Sequence, residues 1–238
     1  MYQSQKIYVN PNMKMSTLIN ENPPLLLMLD FFEVDYAVGD RTIEKICKEN
    51  NININVFLVI CNLYNGFYPN KSDIKTSDMD ISLIIKFLKN SHKFYKKDRY
   101  PEIKNYIHQL YINQSKTDIG RIESFFNEYF EEVVEHLRYE DEIAFPYFCR
   151  LINSECDSSA TKFSVNEYRE HHSDIETKLS DLKTLLLKHV SLKDDFALRR
   201  KILYSLFELE RDLNIHSTIE EMVLLPLVDE IETQRGNG

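Results

Sequence analysis

Apolar residues recur at steps of three and four along most of the chain, the spacing of one face of an α-helix. The clearest stripes lie in four long segments between residues 78 and 233. We place the first from near Ser77 or Asp78 past Pro101, the second from about Thr117 to Ile152, the third from around Ser164, and the fourth from about Lys193 to Glu232. Four amphipathic segments with short connections predict an all-α, up-down four-helix bundle.

Two of these stripes contain a histidine and a glutamate among their apolar residues. In the second segment the predicted inner stripe is Phe126, Tyr129, Val133, His136, Glu140, Ile143 and Tyr147. In the fourth segment it is Leu206, Leu209, Leu213, His216, Glu220, Val223 and Leu227. Both stripes therefore turn ionisable side chains toward the predicted core.

A smaller helical region precedes the bundle. Residues 13–68 are predicted to form a small domain whose first helix is capped by Ser16 or Thr17 and whose second helix is opened by Pro23-Pro24. Two further short helices are predicted, Thr42 to Glu49 and Asn53 to Tyr64. Residues 69–77 are polar and turn-rich, so we predict a linker there, followed by the bundle at residues 78–233.

Composition narrows the class of protein. The 238 residues include 43% hydrophobic residues but only 5 Gly and 7 Pro, which favours long helices over a turn-rich β fold. The net charge of −9 disfavours nucleic acid or an anionic membrane as partner, since both require a clustered positive surface.

Neither a membrane span nor a signal peptide is predicted, and the 4 Cys have no CxxC spacing. We expect a reduced, cytoplasmic protein, either a monomer or a homodimer.

The two stretches that begin at His136 and His216 match each other. In each, a Glu follows the His by four residues, an acid comes next, and a Pro follows the Glu by six, at Pro146 and Pro226. Residues four apart lie one above the other on a helix, so each imidazole and its carboxylate share a face. The matching flanks predict two halves of a metal site.

The offset between these stretches is 216 − 136 = 80, and the same offset takes His92 to His172. The chain therefore contains two copies of one helical hairpin, each with a lone His and a His-x-x-x-Glu. The offset also pairs Ser91 with His171, so we predict His172 as the ligand and leave His171 beside the site or at the surface. The predicted metal ligands are His92, His136, Glu140, His172, His216 and Glu220.

Taken singly, a histidine on an apolar face is more often a hydrogen-bonded core residue, and a His/Glu pair is often a surface contact. The coincidence of six residues with one repeat favours metal instead, since six buried ionisable groups without a cation are costly to desolvate. Four imidazoles and two carboxylates suit a pair of iron ions, each carboxylate bridging both, and manganese fits the same ligands. The ferritin-like pattern has Glu-x-x-His, so this is a different di-metal class.

These residues resemble the hemerythrin-like cation-binding family over about residues 78–233. In that family a lone His, a His-x-x-x-Glu followed by Phe-Pro or Leu-Pro, a Glu-His and a second His-x-x-x-Glu hold a non-haem di-iron centre. The resemblance implies two iron ions, oxo- or hydroxo-bridged, with a small diatomic molecule or peroxide as ligand.

One branch of the family is more similar still. The segment from Asn90 to Tyr95 with Pro101 downstream, and the N-terminal stretch from Phe31 to Glu49, resemble the iron–sulfur cluster repair di-iron proteins, also called regulators of cell morphogenesis and NO signalling. That branch typically has adjacent cysteines before the glycine. Here the residues are Asp35-Tyr36-Ala37-Val38, so thiol chemistry assigned to that pair does not carry over.

Three functions follow as hypotheses. The first is redox chemistry in nitrosative or oxidative stress, binding or reducing NO, oxygen or peroxide, or supporting repair with an iron–sulfur protein or redox partner. The second is a non-catalytic oxygen, NO or redox sensor that signals through the N-terminal module. The third is iron storage. The sequence does not decide whether the protein is an enzyme.

Overall fold

The computed structural model describes residues 7–70, 74, 79–114, 117–153, 168, 175–188 and 195–236. Within these residues the regular secondary structure is helical, and the only β pairing is one isolated bridge between Lys14 and Thr42. The predicted all-α class is therefore confirmed. None of the helices described is both long and apolar enough to cross a bilayer.

Four short helices form the N-terminal region: α1 (Met15–Glu21), α2 (Leu25–Phe31), α3 (Ile43–Glu49) and α4 (Ile54–Tyr64). The Asn53 side chain accepts hydrogen bonds from the backbone N–H groups of Asn55 and Val56 and so caps α4. Thr42 caps α3 in the same way by accepting from the N–H of Lys45.

The predicted cap of α1 is wrong. Ser16 and Thr17 lie inside the helix, whose N-cap is Lys14 without a side-chain cap bond. The reason is tertiary: the N–H of Met15 donates to the carbonyl of Arg41, and the N–H of Ile43 donates to the carbonyl of Met13. This backbone pairing fixes the first turn without a capping side chain.

The longer helices follow the predicted segments closely. They are α5 (Ile81–Phe94), α6 (Tyr100–Gln114), α7 (Thr117–Tyr139), α8 (Phe145–Asn153), α9 (Ile175–Lys188), α10 (Phe196–Ile219) and α11 (Leu225–Gly236). The predicted start of the third segment at Ser164 falls outside the described residues.

Three π-helical turns join these helices without a break: π1 (Tyr95–Arg99), π2 (Glu140–Ala144) and π3 (Glu220–Leu224). In each, the N–H of the residue after the turn bonds to the carbonyl five residues back, that of Tyr95, Glu140 or Glu220. The next residue is always proline, at positions 101, 146 and 226. Proline has no N–H and clashes with the carbonyl four residues back, so a wider turn relieves the clash.

The π turn corrects one part of the predicted inner stripe. Ile143 was expected inside but its exposed fraction is 47%, whereas Ala144, Phe145 and Phe148 are fully buried. The extra residue in π2 rotates the following side chains by roughly 100°, one residue's share of an α-helical turn. A strict three- and four-residue period therefore fails just after Glu140.

The chain divides into two compact units, and the division falls inside α5, α8 and α10. One unit comprises residues 1–91, 148–160 and 215–238. In it, the rings of Phe31 and Phe32 pack against Phe87 of α5, with centroids 5.4 and 4.8 Å apart.

The other unit comprises residues 92–147 and 161–214. Its core is built from π1, α6, α7, α9 and α10, and includes Ile103, Ile107, Leu110, Phe126, Tyr129, Val133, Leu179, Leu182, Leu206 and Leu209. These are the residues that the helical periodicity placed on inner faces. The predicted linker at 69–77 lies largely outside the described residues, so the domain boundary stays a prediction.

Candidate metal centre

The first half-site comprises His92, His136, Glu140, Asp141 and Tyr168. His136 lies at the end of α7, and its Nε2 is 3.1 Å from Oε1 of Glu140, the first residue of π2. Nε2 of His92, on α5, is 3.3 Å from the other oxygen, Oε2. Glu140 and His92 are completely buried. Two imidazoles therefore face the two oxygens of one buried carboxylate.

Tyr168 adds a third group to Glu140. Its hydroxyl donates a hydrogen bond of 2.7 Å to Oε1, and its side chain is 1% exposed. The stripe pattern placed Tyr168 on an inner face, but periodicity cannot show which atom its hydroxyl meets.

Asp141 fixes the other side of the His92 ring. Its Oδ1 is 2.9 Å from Nδ1 of His92, and its Oδ2 accepts a 2.7 Å hydrogen bond from Nζ of Lys96. Burial acts to raise the pKa of Asp141, but the hydrogen bonds and charges of His92 and Lys96 outweigh it and lower that pKa to about 2. Asp141 is therefore an ionised acceptor, and Nδ1 of His92 is the protonated nitrogen facing it.

The second half-site comprises Ser91, His216 and Glu220. Nε2 of His216, on α10, is 3.2 Å from Oε1 of Glu220, the first residue of π3. The hydroxyl of Ser91 donates to the carbonyl of Leu88 at 2.7 Å and lies 2.9 Å from Nδ1 of His216. Because that hydroxyl has a single hydrogen, it accepts from His216, so Nδ1 of His216 is protonated.

The same arrangement thus occurs in both half-sites. In each, Nδ1 is protonated, and Nε2 of a neutral imidazole then directs a lone pair at a buried carboxylate oxygen 3.2–3.3 Å away. Two facing acceptors repel each other unless a cation lies between them. Two ligand atoms each about 2.1 Å from one ion, at right angles to one another, are about 3 Å apart. The observed separations therefore fit a shared metal ion.

One helix contributes to both half-sites, since Ser91 and His92 are consecutive residues of α5. The π turns supply a second common feature: both glutamates begin one, and both turns are followed by Phe-Pro or Leu-Pro. Single π turns within α-helices are frequent at functional sites. The 80-residue repeat found in the sequence is thus repeated in the backbone, at 140–144 and 220–224.

Of the six predicted ligands, five lie in these two half-sites. His172 and its neighbour His171 fall outside the described residues, so the choice between them stays a prediction. The sequence reasoning did not assign roles to Asp141 and Ser91. The acid after Glu140 was a visible signal for Asp141, but a serine beside a histidine carries no comparable signal.

Comparison with known protein families gives one result. The family model of the hemerythrin HHE cation-binding domain matches residues 84–228, more than half of the chain. A comparison with curated proteins finds no match.

Proposed function

The chain belongs to the hemerythrin HHE cation-binding domain family, which makes it a metal-binding protein, and from this premise we propose that it is a non-haem di-iron protein of the nitrosative and oxidative stress response. Its proposed ligands are His92, His136, Glu140, His172, His216 and Glu220. We propose that the centre binds or reduces NO, oxygen or peroxide, or supports repair of iron–sulfur clusters.

The observation that carries this proposal is the pair of facing acceptors. His92 and His216 each have Nδ1 held by a neighbour and Nε2 directed at a buried carboxylate. Orienting partners of this kind on the outer nitrogen are the usual companions of metal-bound histidine. A set of imidazoles and carboxylates without thiolate suits iron or manganese better than a structural zinc.

The surroundings of the first half-site favour chemistry shielded from water. The His92 ring stacks on Phe145, with centroids 5.6 Å apart and planes at 20°. Phe145 and Ala144 are fully buried. When bound, a pair of iron ions would supply electrons and an open position for a small molecule. The chain's own part is to hold the imidazoles in one tautomer and to exclude solvent.

The thiols of the N-terminal region support an external source of electrons. Burial raises the pKa of Cys47 to about 12 and also raises the pKa of Cys61. Since the thiolate is the reactive form, neither residue is suited to redox relay. Reducing two NO to nitrous oxide and water takes two electrons and two protons, so turnover would depend on a separate reductant.

Metal content tests the ligands directly. The protein is loaded anaerobically with ferrous iron, and bound iron is measured for the wild type, His136→Ala and Glu220→Ala. Each variant should lose at least half of the iron. The matched controls are His108→Ala, an exposed histidine paired with Glu123, and Glu221→Ala, the exposed neighbour of Glu220. Wild-type protein without iron or manganese would refute the proposal.

Reaction with NO or oxygen then tests the activity. The reduced, iron-loaded protein is mixed with NO or oxygen, with and without an excess of reductant. Several turnovers per centre would support an enzyme, whereas one stable adduct per centre would support a sensor. Iron uptake far beyond two ions per chain would favour storage instead.

One observation favours the sensor as the second candidate. Asn90, the residue before Ser91 on α5, donates a 2.9 Å hydrogen bond to the carbonyl of Phe31 at the end of α2. Lys86, one turn earlier, forms a 2.6 Å ion pair with Glu33. Glu33 has a φ of 59°, a left-handed conformation that costs energy in a residue with a Cβ. Three consecutive residues of α5 thus contact the N-terminal region, His216 and Glu140.

If the protein is a sensor, ligand binding should change amide hydrogen exchange in residues 31–40, and Asn90→Ala should weaken that change. Lys93→Ala, on the same helix but exposed, is the control. Unchanged exchange in this segment on ligand binding would exclude this route.

A further inference from the structure

Tyr168 is a buried polar group that the proposed ligand set does not use. Its hydroxyl donates to Oε1 of Glu140, the same oxygen that faces Nε2 of His136. The other oxygen of Glu140 faces Nε2 of His92. The two oxygens of this carboxylate therefore have different surroundings, and only Oε1 accepts a bond from a phenol.

The internal repeat shows that this contact has no counterpart. The 80-residue offset pairs Glu140 with Glu220, but it pairs Tyr168 with Leu88, since 168 − 80 = 88. Leu88 is fully buried and has no polar side-chain atom. A centre built on two equivalent copies would treat its two glutamates alike, but this chain supplies a hydroxyl to one of them only.

We propose that Tyr168 is a positioning residue that fixes the carboxylate of Glu140 and makes the two metal positions unequal. This inference rests on the proposed di-iron function. A hydrogen bond to Oε1 holds the carboxylate plane in one orientation and draws electron density from that oxygen. The metal position that uses Oε1 and His136 then differs in affinity from the other.

A simpler explanation is that a buried tyrosine needs an acceptor and Glu140 happens to be near. Tyr100 provides the matched control for this explanation. It is equally buried, and its hydroxyl donates at 3.0 Å to the hydroxyl of Tyr129, which is not a proposed ligand. Tyr100→Phe therefore removes a buried phenol hydrogen bond of the same kind without touching Glu140.

The experiment measures ferrous iron binding anaerobically, by competition with a chelator, for the wild type, Tyr168→Phe and Tyr100→Phe. We expect the wild type to bind two ions with unequal affinities. In Tyr168→Phe one affinity should fall by about 10–100-fold, the usual effect of losing a residue that supports a metal ligand. The other affinity should change by less than about threefold, and Tyr100→Phe should bind as the wild type does.

Mössbauer spectra of the iron-loaded proteins give a second readout that a purely structural role would not change. The wild type should show two distinct iron environments, and Tyr168→Phe should bring them closer together. Melting of the metal-free proteins checks folding. If Tyr168→Phe does not fold, Tyr168→Leu replaces it, because the repeat already places Leu at the equivalent position.

The outcomes separate the two proposals. A wild type that binds two ions, together with a Tyr168→Phe protein of unchanged affinities and spectrum, overturns the role of Tyr168 and leaves the di-iron function standing. Two identical iron environments in the wild type overturn the inequality. A wild type that binds no iron removes the basis of both.

Discussion

Replacing Asp141 by Asn tests how the first half-site holds its histidine. The carboxylate accepts from Nδ1 of His92 at 2.9 Å and from Lys96 at 2.7 Å. An amide in its place can turn an N–H₂ toward Nδ1, which then becomes the acceptor, and Nε2 takes the proton. A protonated Nε2 cannot bind a metal ion, so the ring must turn back before it can act as a ligand.

The magnitude follows from this contact. Loss of a partner that orients a metal-bound histidine costs about 10–100-fold in metal affinity, or about 1.4–2.7 kcal/mol. The metal-free protein also loses the charged contact with Lys96. Because the side chains of Lys96 and Asp141 are 30% and 24% exposed, we expect only about 1 kcal/mol of lost unfolding free energy there.

The assay is anaerobic ferrous iron binding by chelator competition, together with urea unfolding of the metal-free protein. Glu142→Gln is the matched control, since it removes one negative charge from an exposed position in the same π turn. Affinity within threefold of the wild type in Asp141→Asn would refute the orientation argument. An equal loss in Glu142→Gln would show that net charge, and not the contact with His92, determines the affinity.

Three further predictions concern single contacts. Ser91→Ala removes the acceptor for Nδ1 of His216, a neutral partner, so metal affinity should fall by less than about tenfold, again by chelator competition. Cys47 and Cys61 should resist a thiol reagent at pH 8 in the native protein and react after unfolding; since their pKa values are raised in the folded state, unfolding releases protons at high pH, and stability should fall as pH rises above about 9. Rapid native labelling of both thiols would contradict this. Asn53→Ala should cost about 1 kcal/mol in urea unfolding through loss of the α4 cap, and no change would show that the cap contributes nothing.

Much of the helical architecture could be predicted from the sequence. The stripes through Phe126, Tyr129 and Val133, and through Leu206 and Leu209, are buried as expected. These predictions succeeded because side-chain burial along a regular helix depends only on the local 3.6-residue period. Where the helix is not regular, prediction failed, as at Ile143 after the π turn and at the first turn of α1, which backbone pairing to residues 41–43 fixes instead.

The candidate site divides in the same way. By itself the sequence determined the two His-x-x-x-Glu faces and the repeat that relates them, because residues four apart on a helix meet whatever else the fold does. Only the tertiary structure placed His92 on Glu140, Asp141 behind His92, Ser91 behind His216 and Tyr168 on Glu140. The last three contacts join residues 49, 125 and 28 positions apart, a separation at which helical periodicity carries no information. The protonation of each imidazole is therefore set by packing, while the presence of the imidazoles is set by the sequence.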